Sequence, residues 1–189
     1  MNFNRPLILA SSSPRRQFLM KEAGFDFVTM SPDIDESFSS TMPVQQVPVY
    51  LAEKKATALL PKATNNEIII ASDTVVILRN EIMNKPADRD DAVRMLSALS
   101  GNTHTVITGV CLLSNNKKDV FDDRTEVTFK KLSAAEIDFY IDHYKPFDKA
   151  GAYGAQDWLG MVGIEKINGS YFTVMGLPMH KVYEHLHRF

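Results

Sequence analysis

Cysteine is nearly absent from this chain. Cys111 is the only one in 189 residues, which excludes an internal disulfide and a thiolate metal cage. It lies in the apolar run Val110-Cys111-Leu112-Leu113, where a buried and inert thiol is expected. Long hydrophobic runs are missing too. No stretch approaches the roughly 20 apolar residues that a membrane-spanning helix needs, so no membrane partner is expected. Nor is there an excess of positive charge. Lysine and arginine number 21 against 23 acidic residues, a balance that gives no basic field for gripping long nucleic acid. Any phosphate chemistry must therefore come from a local cluster of cations. The opening residues Met1-Asn2-Phe3-Asn4-Arg5-Pro6 lack the apolar core and small-residue cleavage site of a signal peptide, so a reduced, cytoplasmic setting is expected. The P-loop pattern, the His-Glu-x-x-His zinc pattern and the Gly-x-Ser-x-Gly elbow are all absent. No repeat or linker divides the chain, and a single domain over residues 1–189 is expected.

What is present is an interleaving of helix and strand patterns. Leu7-Ile8-Leu9-Ala10 reads as a short buried strand, after which Ser13 suits an N-cap and Pro14 the first helical position. That helix should end near Gly24, with a second strand over Phe25 to Met30 and an acidic loop, Asp33-Ile34-Asp35-Glu36. Val49, Ala52, Ala56, Leu59 and Leu60 recur at helical spacing, which predicts a helix from about Pro48 to Leu60. Ile68-Ile69-Ile70-Ala71 has the length of a buried strand that ends at Ser72-Asp73-Thr74, with Val75-Val76-Ile77-Leu78 beyond. Asp88 can cap a helix whose inner face is Ala92, Met95, Leu96 and Leu99. Two β-rich segments follow, about His104 to Leu113 and Val120 to Lys130, joined by a turn at Asn115-Asn116. Ser133-x-x-Glu136 is a capping box ahead of Ile137, Tyr140, Ile141 and Tyr144. Pro178 starts a last helix with Met179, Val182, Tyr183 and Leu186 inward. Long hairpin-like strands amid the helices predict an α/β fold with a mixed sheet.

Three groups carry candidate chemistry. The turn Ser11-Ser12-Ser13-Pro14-Arg15-Arg16 opens a helix, and unpaired N–H groups at a helix start suit an anion. Two arginines in a first turn oppose the helix dipole at a cost of a few tenths to about 1 kcal/mol, which a bound polyanion would offset. The competing reading is that the arginines are solvated and the serines only cap the helix. Asp73, flanked by Ser72 and Thr74 where an apolar strand ends, is sited to hold a metal or activate water. Its commoner fate would be a turn aspartate bonded to backbone N–H groups. Lys55 and Lys85, taken singly, read as solvated cations; with Arg15 and Arg16 they match the charge of a triphosphate. Last, Asp148-Lys149-Ala150-Gly151-Ala152-Tyr153-Gly154-Ala155-Gln156 lets backbone approach a ligand and ends on an amide that both donates and accepts, or else forms a tight loop.

In order along the chain, these motifs resemble the Maf family. The resemblance rests on Leu9-Ala10-Ser11-Ser12-Ser13-Pro14-Arg15-Arg16, Asp35-Glu36, Ala52-x-x-Lys55-Ala56, Ser72-Asp73-Thr74-Val75-Val76 and Lys85-Pro86. It continues through Ser100-Gly101-x-x-His104-x-Val106-x-Thr108-Gly109-Val110, the Asp148–Gln156 segment, Gly169-Ser170-Tyr171 and Gly176-Leu177-Pro178, so it covers about residues 7 to 186. It implies a house-cleaning pyrophosphatase that cleaves a nucleoside triphosphate between the α and β phosphates with a divalent cation, Mg or Mn. It also implies a Maf/ITPase-like fold: a mixed elongated sheet with flanking helices, two lobes around a central cleft, commonly a homodimer. By matching motif, Asp73 would be the general base, Glu36 a metal ligand, and Arg16, Lys55 and Lys85 the phosphate cations. Ser11 and Ser13 would supply donors from the turn.

Arg15, Thr74 and Gln156 match the family branch that prefers dTTP and UTP. An amide and a guanidinium suit the carbonyls flanking one N–H on uracil and thymine, whereas guanine's adjacent N–H donors favour a carboxylate. The chain departs from that branch at Asp157-Trp158-Leu159-Gly160, which adds one residue, and at Ala155, where a bulkier aliphatic is usual. The rival readings are a pyrophosphatase for 7-methyl-GTP or other modified nucleotides, and a non-enzymatic, nucleotide-binding regulator of cell division.

Overall fold

The computed structural model describes residues 5–63 and 66–189; Met1 to Asn4, read above as carrying no signal peptide, lie outside them. In chain order the elements are β1 (Leu7–Leu9), α1 (Pro14–Glu22), β2 (Val28–Thr29), α2 (Val47–Leu59), β3 (Ile68–Leu78), β4 (Glu81–Met83) and α3 (Arg89–Leu99). They continue with β5 (Thr103–Leu113), β6 (Lys118–Phe129), α4 (Ala134–Tyr144), α5 (Trp158–Gly163), β7 (Ile164–Asn168), α6 (Tyr171–Val174) and α7 (Met179–Arg188). Among the described residues the strands form a mixed sheet in the order β2-β1-β3-β5-β6-β7, with β4 added to β3. The α/β class with a mixed sheet is as the sequence predicts. No helix among the described residues is long and apolar enough to cross a membrane.

The chain folds into two compact units. Unit 1 comprises Met1–Asp73, Thr108–Asp123 and Gly176–Phe189; unit 2 comprises Thr74–Ile107 and Arg124–Met175. In unit 1 the pairing is parallel: β1 runs between β2 and β3, with Leu7 opposite Ile68 and Leu9 opposite Ile70. Its core joins Ile8, Ile69, Ala71, Cys111 and Leu113 of the strands to Ala52, Ala56 and Leu59 of α2. Helix α2 reaches the sheet closely because β5 carries Gly109 at the crossing. A Cβ there would lie 2.4 Å from the Pro48 carbonyl carbon and from the Val49 nitrogen. Burial pushes the Cys111 thiol up to about 12, in keeping with the inert residue expected.

In unit 2 the pairing seen at β3–β4 and β6–β7 is antiparallel. Its core gathers Met95, Leu96 and Leu99 of α3, Ile137, Tyr140 and Ile141 of α4, and Val106, Val127 and Phe129 of the strands. Both predicted caps form. Asp88 accepts from the Asp91 N–H, and Ser133 and Glu136 bond reciprocally as a capping box.

Several local expectations change. The strand expected over Phe25 to Met30 shrinks to Val28–Thr29, an exposed edge pairing, while Phe25 turns into the core. Ser72-Asp73-Thr74 does not end a strand: β3 runs unbroken for 11 residues and is buried almost throughout. Ser72 and Asp73 keep the ladder because their side chains find partners in the Gly176 carbonyl and the Lys55 ammonium, and threonine suits a strand. Tyr183, read as inward, is half-exposed, as is Tyr144 at the end of the α4 spacing. Tyr144 lies over Tyr140 and Tyr183 over Phe25, with ring centroids 5.2 and 6.2 Å apart, so each ring covers apolar surface without entering the core.

Candidate active site

Parallel pairing sets the candidate residues of unit 1. The Ala10 N–H donates to the Ile70 carbonyl at 2.8 Å, which brings the turn after β1 alongside Ser72 and Asp73 of β3. Ser13 is extended and stands at the N-cap of α1 with Pro14 next, as predicted, but its hydroxyl makes no capping bond. Instead the Ser13 N–H donates to the buried Ser11 hydroxyl at 3.1 Å, which folds the turn on itself. The reading in which the serines only cap the helix is thus not what the turn does. Arg15 and Arg16 occupy the first helical turn, which contains no acidic residue.

Arg16 is anchored by Nε, which donates to the Gly176 carbonyl at 2.9 Å. The same carbonyl accepts from the buried Ser72 hydroxyl at 3.2 Å. One backbone oxygen before α7 therefore ties the start of α1 to the strand position next to Asp73. Burial lowers the Arg16 guanidinium from its ordinary value; Asp73 opposes this, Arg15 reinforces it and Glu36 opposes it. Arginine remains cationic under such perturbation, so a fixed positive charge stands near two carboxylates.

Lys55 is the centre of the arrangement. Ala52, Ala56 and Leu59 turn one face of α2 onto the sheet, and Lys55, on that face, is buried with them. Its ammonium lies 2.6 Å from Asp73 Oδ1 and 2.7 Å from Glu36 Oε1. The reading of Lys55 as a solvated cation is therefore corrected: its side chain is 10% exposed and Asp73's 12%, against 48% for Glu36. A lysine is held in so dry a place only with opposite charge beside it. Within the acidic loop Asp35 is consumed locally, because the backbone N–H and hydroxyl of Ser37 both bond to it and lower its carboxyl. Glu36 is the one turned to Lys55.

The remaining candidates belong to unit 2. Thr74 follows Asp73 on β3. Lys85 follows β4 and is exposed, as the single-residue reading had it. Asn84 beside it accepts from the Gly151 N–H at 3.1 Å. Gln156 is half-buried after the glycine segment, and its Nε2 donates to Asp157 Oδ1 at 3.1 Å. Asp157 Oδ2 accepts from the Tyr140 hydroxyl at 2.8 Å, and that hydroxyl in turn accepts from the Gly154 N–H at 3.0 Å. Ala155 is packed into the core of unit 2. Tyr140 could be read from the sequence only as a core position of α4, since periodicity reports burial and not where a hydroxyl points. The Gly176 carbonyl had no signal beyond the Gly176-Leu177-Pro178 motif itself.

The structure thus gathers Ser11, Ser13, Arg16, Glu36, Lys55 and Asp73 within unit 1, with Arg15 on the same helical turn. It gathers Gln156, Asp157 and Tyr140 within unit 2. A buried lysine and a half-buried arginine beside paired carboxylates are suited to binding an anion and to taking a proton from water.

Comparison with known proteins gives the same pattern over the whole chain. The model of the Maf-like protein family matches residues 6–189. A protein of Flavobacterium psychrophilum named dTTP/UTP pyrophosphatase is 49% identical over 183 residues, 97% of this chain and 94% of its own length. Proteins of the same name from Parabacteroides distasonis and Bacteroides fragilis are 45% and 46% identical, over 97% and 95% of this chain and 95% and 94% of theirs. With a family match that leaves out only the first five residues and relatives this similar over nearly all of their length, the chain belongs to the Maf-like protein family.

Proposed function

We propose that this protein hydrolyses nucleoside triphosphates, dTTP and UTP by preference, to the monophosphate and pyrophosphate. The observation that carries the reading is Lys55, a buried ammonium between Asp73 at 2.6 Å and Glu36 at 2.7 Å, with Arg16 fixed nearby. The names of the relatives support the same reaction and the same bases.

In this mechanism the triphosphate is drawn to Arg16 and Lys55, with Lys85 and the donors of the Ser11–Ser13 turn. As phosphate oxygens approach the Lys55 ammonium, Asp73 is released from its ion pair to accept a proton from water. The water oxygen bonds to phosphorus, the α–β anhydride bond breaks, and pyrophosphate leaves with the electron pair. Fixed cations then stabilise the charge that grows on the leaving oxygens, as in phosphoryl transfer generally. Arg15, Thr74 and Gln156 would select the base.

A divalent cation fits these residues. Glu36 and Asp73 offer hard oxygen donors that already converge on one positive centre. Among the described residues no three His, Cys, Asp or Glu side chains cluster for a metal, so Glu36 would hold it largely together with phosphate and water oxygens. Such a cation, Mg or Mn, would supply further neutralisation of the phosphates when bound.

Pyrophosphate release by wild type and Asp73→Asn tests the proposal. Loss of the general base should slow the reaction roughly a hundredfold or more. Unchanged release would remove Asp73 from the mechanism. Nucleotide binding without any release by wild type would favour the regulator, and 7-methyl-GTP outrunning UTP would move the chain to the modified-nucleotide branch.

A further inference from the structure

We propose that Asp157 is a positioning residue that locks the Gln156 amide in one of its two flip states, so that the chain tells uracil and thymine from cytosine. The proposal rests on Gln156 reading the base. A glutamine amide is nearly symmetric in shape, and a half-turn exchanges its acceptor and donor. Uracil and thymine present an N3–H donor beside a carbonyl acceptor at C4. Cytosine presents an N3 acceptor beside an amino donor at the same two places. An amide facing this edge therefore pairs with uracil in one flip state and with cytosine in the other. If it turns freely it reads both, so discrimination needs the flip to be fixed.

Asp157 supplies the fixing. A carboxylate only accepts, and Oδ1 accepts from Gln156 Nε2 at 3.1 Å. Turning the amide would set its oxygen against a carboxylate oxygen with no proton between them. The carboxylate is itself held, because Oδ2 accepts from the Tyr140 hydroxyl at 2.8 Å. That hydroxyl takes the Gly154 N–H at 3.0 Å, which directs its own proton to Asp157. Lys149 Nζ stands 3.8 Å from the same oxygen. Tyr140 is fully buried, so the chain of bonds is anchored in the core of unit 2. The backbone leaves room for the lock: a Cβ on Gly154 would lie 2.6 Å from Asp157 Oδ2 and 2.7 Å from Gln156 Nε2. With one N–H given to Asp157, the amide keeps its second N–H and its oxygen for a base.

The test is kcat/KM for UTP and CTP in wild type and Asp157→Asn. Asparagine can donate as well as accept, so it tolerates either flip state. The UTP-to-CTP ratio should fall about tenfold or more in the variant, mainly because CTP improves. General damage to the fold lowers both substrates together and leaves the ratio in place. Should Asp157→Asn fail to fold, Gly154→Ala pushes both side chains aside without changing either, and the ratio should fall there too. A folded Asp157→Asn that keeps the wild-type ratio overturns the lock. A wild type that shows no preference for UTP or dTTP over CTP overturns the reading of Gln156, and the lock with it.

Discussion

The two units bury polarity in different ways. Unit 1 sets a cation between carboxylates: Lys55 and Asp73 lie almost out of water, 2.6 Å apart, with Glu36 closing the outer side. Unit 2 buries hydroxyl and imidazole groups in directional hydrogen bonds, with His104 Nε2 2.7 Å from the Tyr153 hydroxyl and Tyr140 bonded to Gly154 and the Asp157 carboxylate. The rings of His104, Phe129 and Tyr153 meet edge to face at centroid distances of 4.9 to 5.4 Å. A buried ion pair is poised: it holds charge that a polyanion can redistribute, and it is costly if one partner is lost. A network of directional hydrogen bonds is rigid, suited to holding a side chain in one orientation.

The sharpest way to break this contrast is to remove the central cation of unit 1. Lys55→Met leaves Asp73 buried without its partner, and folding stability should fall by about 3–5 kcal/mol. Denaturant unfolding measures it. Adding Asp73→Asn should restore part of the loss, and a variant as stable as wild type would show that the pair stores no such energy.

Acid should find the weak point of unit 2. Burial holds His104 down at about 4 against an ordinary 6.5, and its Nδ1 has no hydrogen-bond partner among the described residues. The unfolded chain therefore takes up the proton first. His104's contribution is complete above the unfolded value and is lost as pH falls from 6.5 towards 4, a change on the order of 3 kcal/mol. Urea midpoints across that window should shift in wild type and lose this part of their slope in His104→Gln. An equal slope in both would place the acid sensitivity elsewhere.

The smallest effect sharpens the comparison at the surface of unit 2. Ser133→Ala removes the capping box of α4 and should cost about 1 kcal/mol, read as a lower thermal midpoint. Because α4 belongs to unit 2, the loss should come with no change in the proton chemistry proposed for unit 1.

Much of the fold was legible in the residues. The capping signals at Asp88 and Ser133, the buried run of β3, and the hairpin of β5 and β6 all depend on neighbours a few positions away. Parts of the candidate site were legible as a set of residues, since Ser11, Arg16, Glu36, Lys55 and Asp73 each stood in a recognisable motif. Their arrangement was not. Asp73 looked like the end of a strand because aspartate is rare inside one. It sits mid-strand because Lys55, 18 residues earlier, supplies the missing charge.

By itself, then, the sequence determined the main helices and strands, the caps at Asp88 and Ser133, and which side chains carry chemistry. These follow from short-range sterics, periodicity and side-chain type. Only the tertiary structure decided that Lys55 is buried, that Asp35 turns to Ser37 while Glu36 faces Lys55, and that the Gly176 carbonyl holds Arg16 from 160 residues away. It also decided that Asp157, the first residue of a segment read as one residue longer than the branch pattern, bonds to Gln156. The fate of a charge or an amide depends on what stands opposite it, and parallel pairing and helix packing bring those partners from distant parts of the chain.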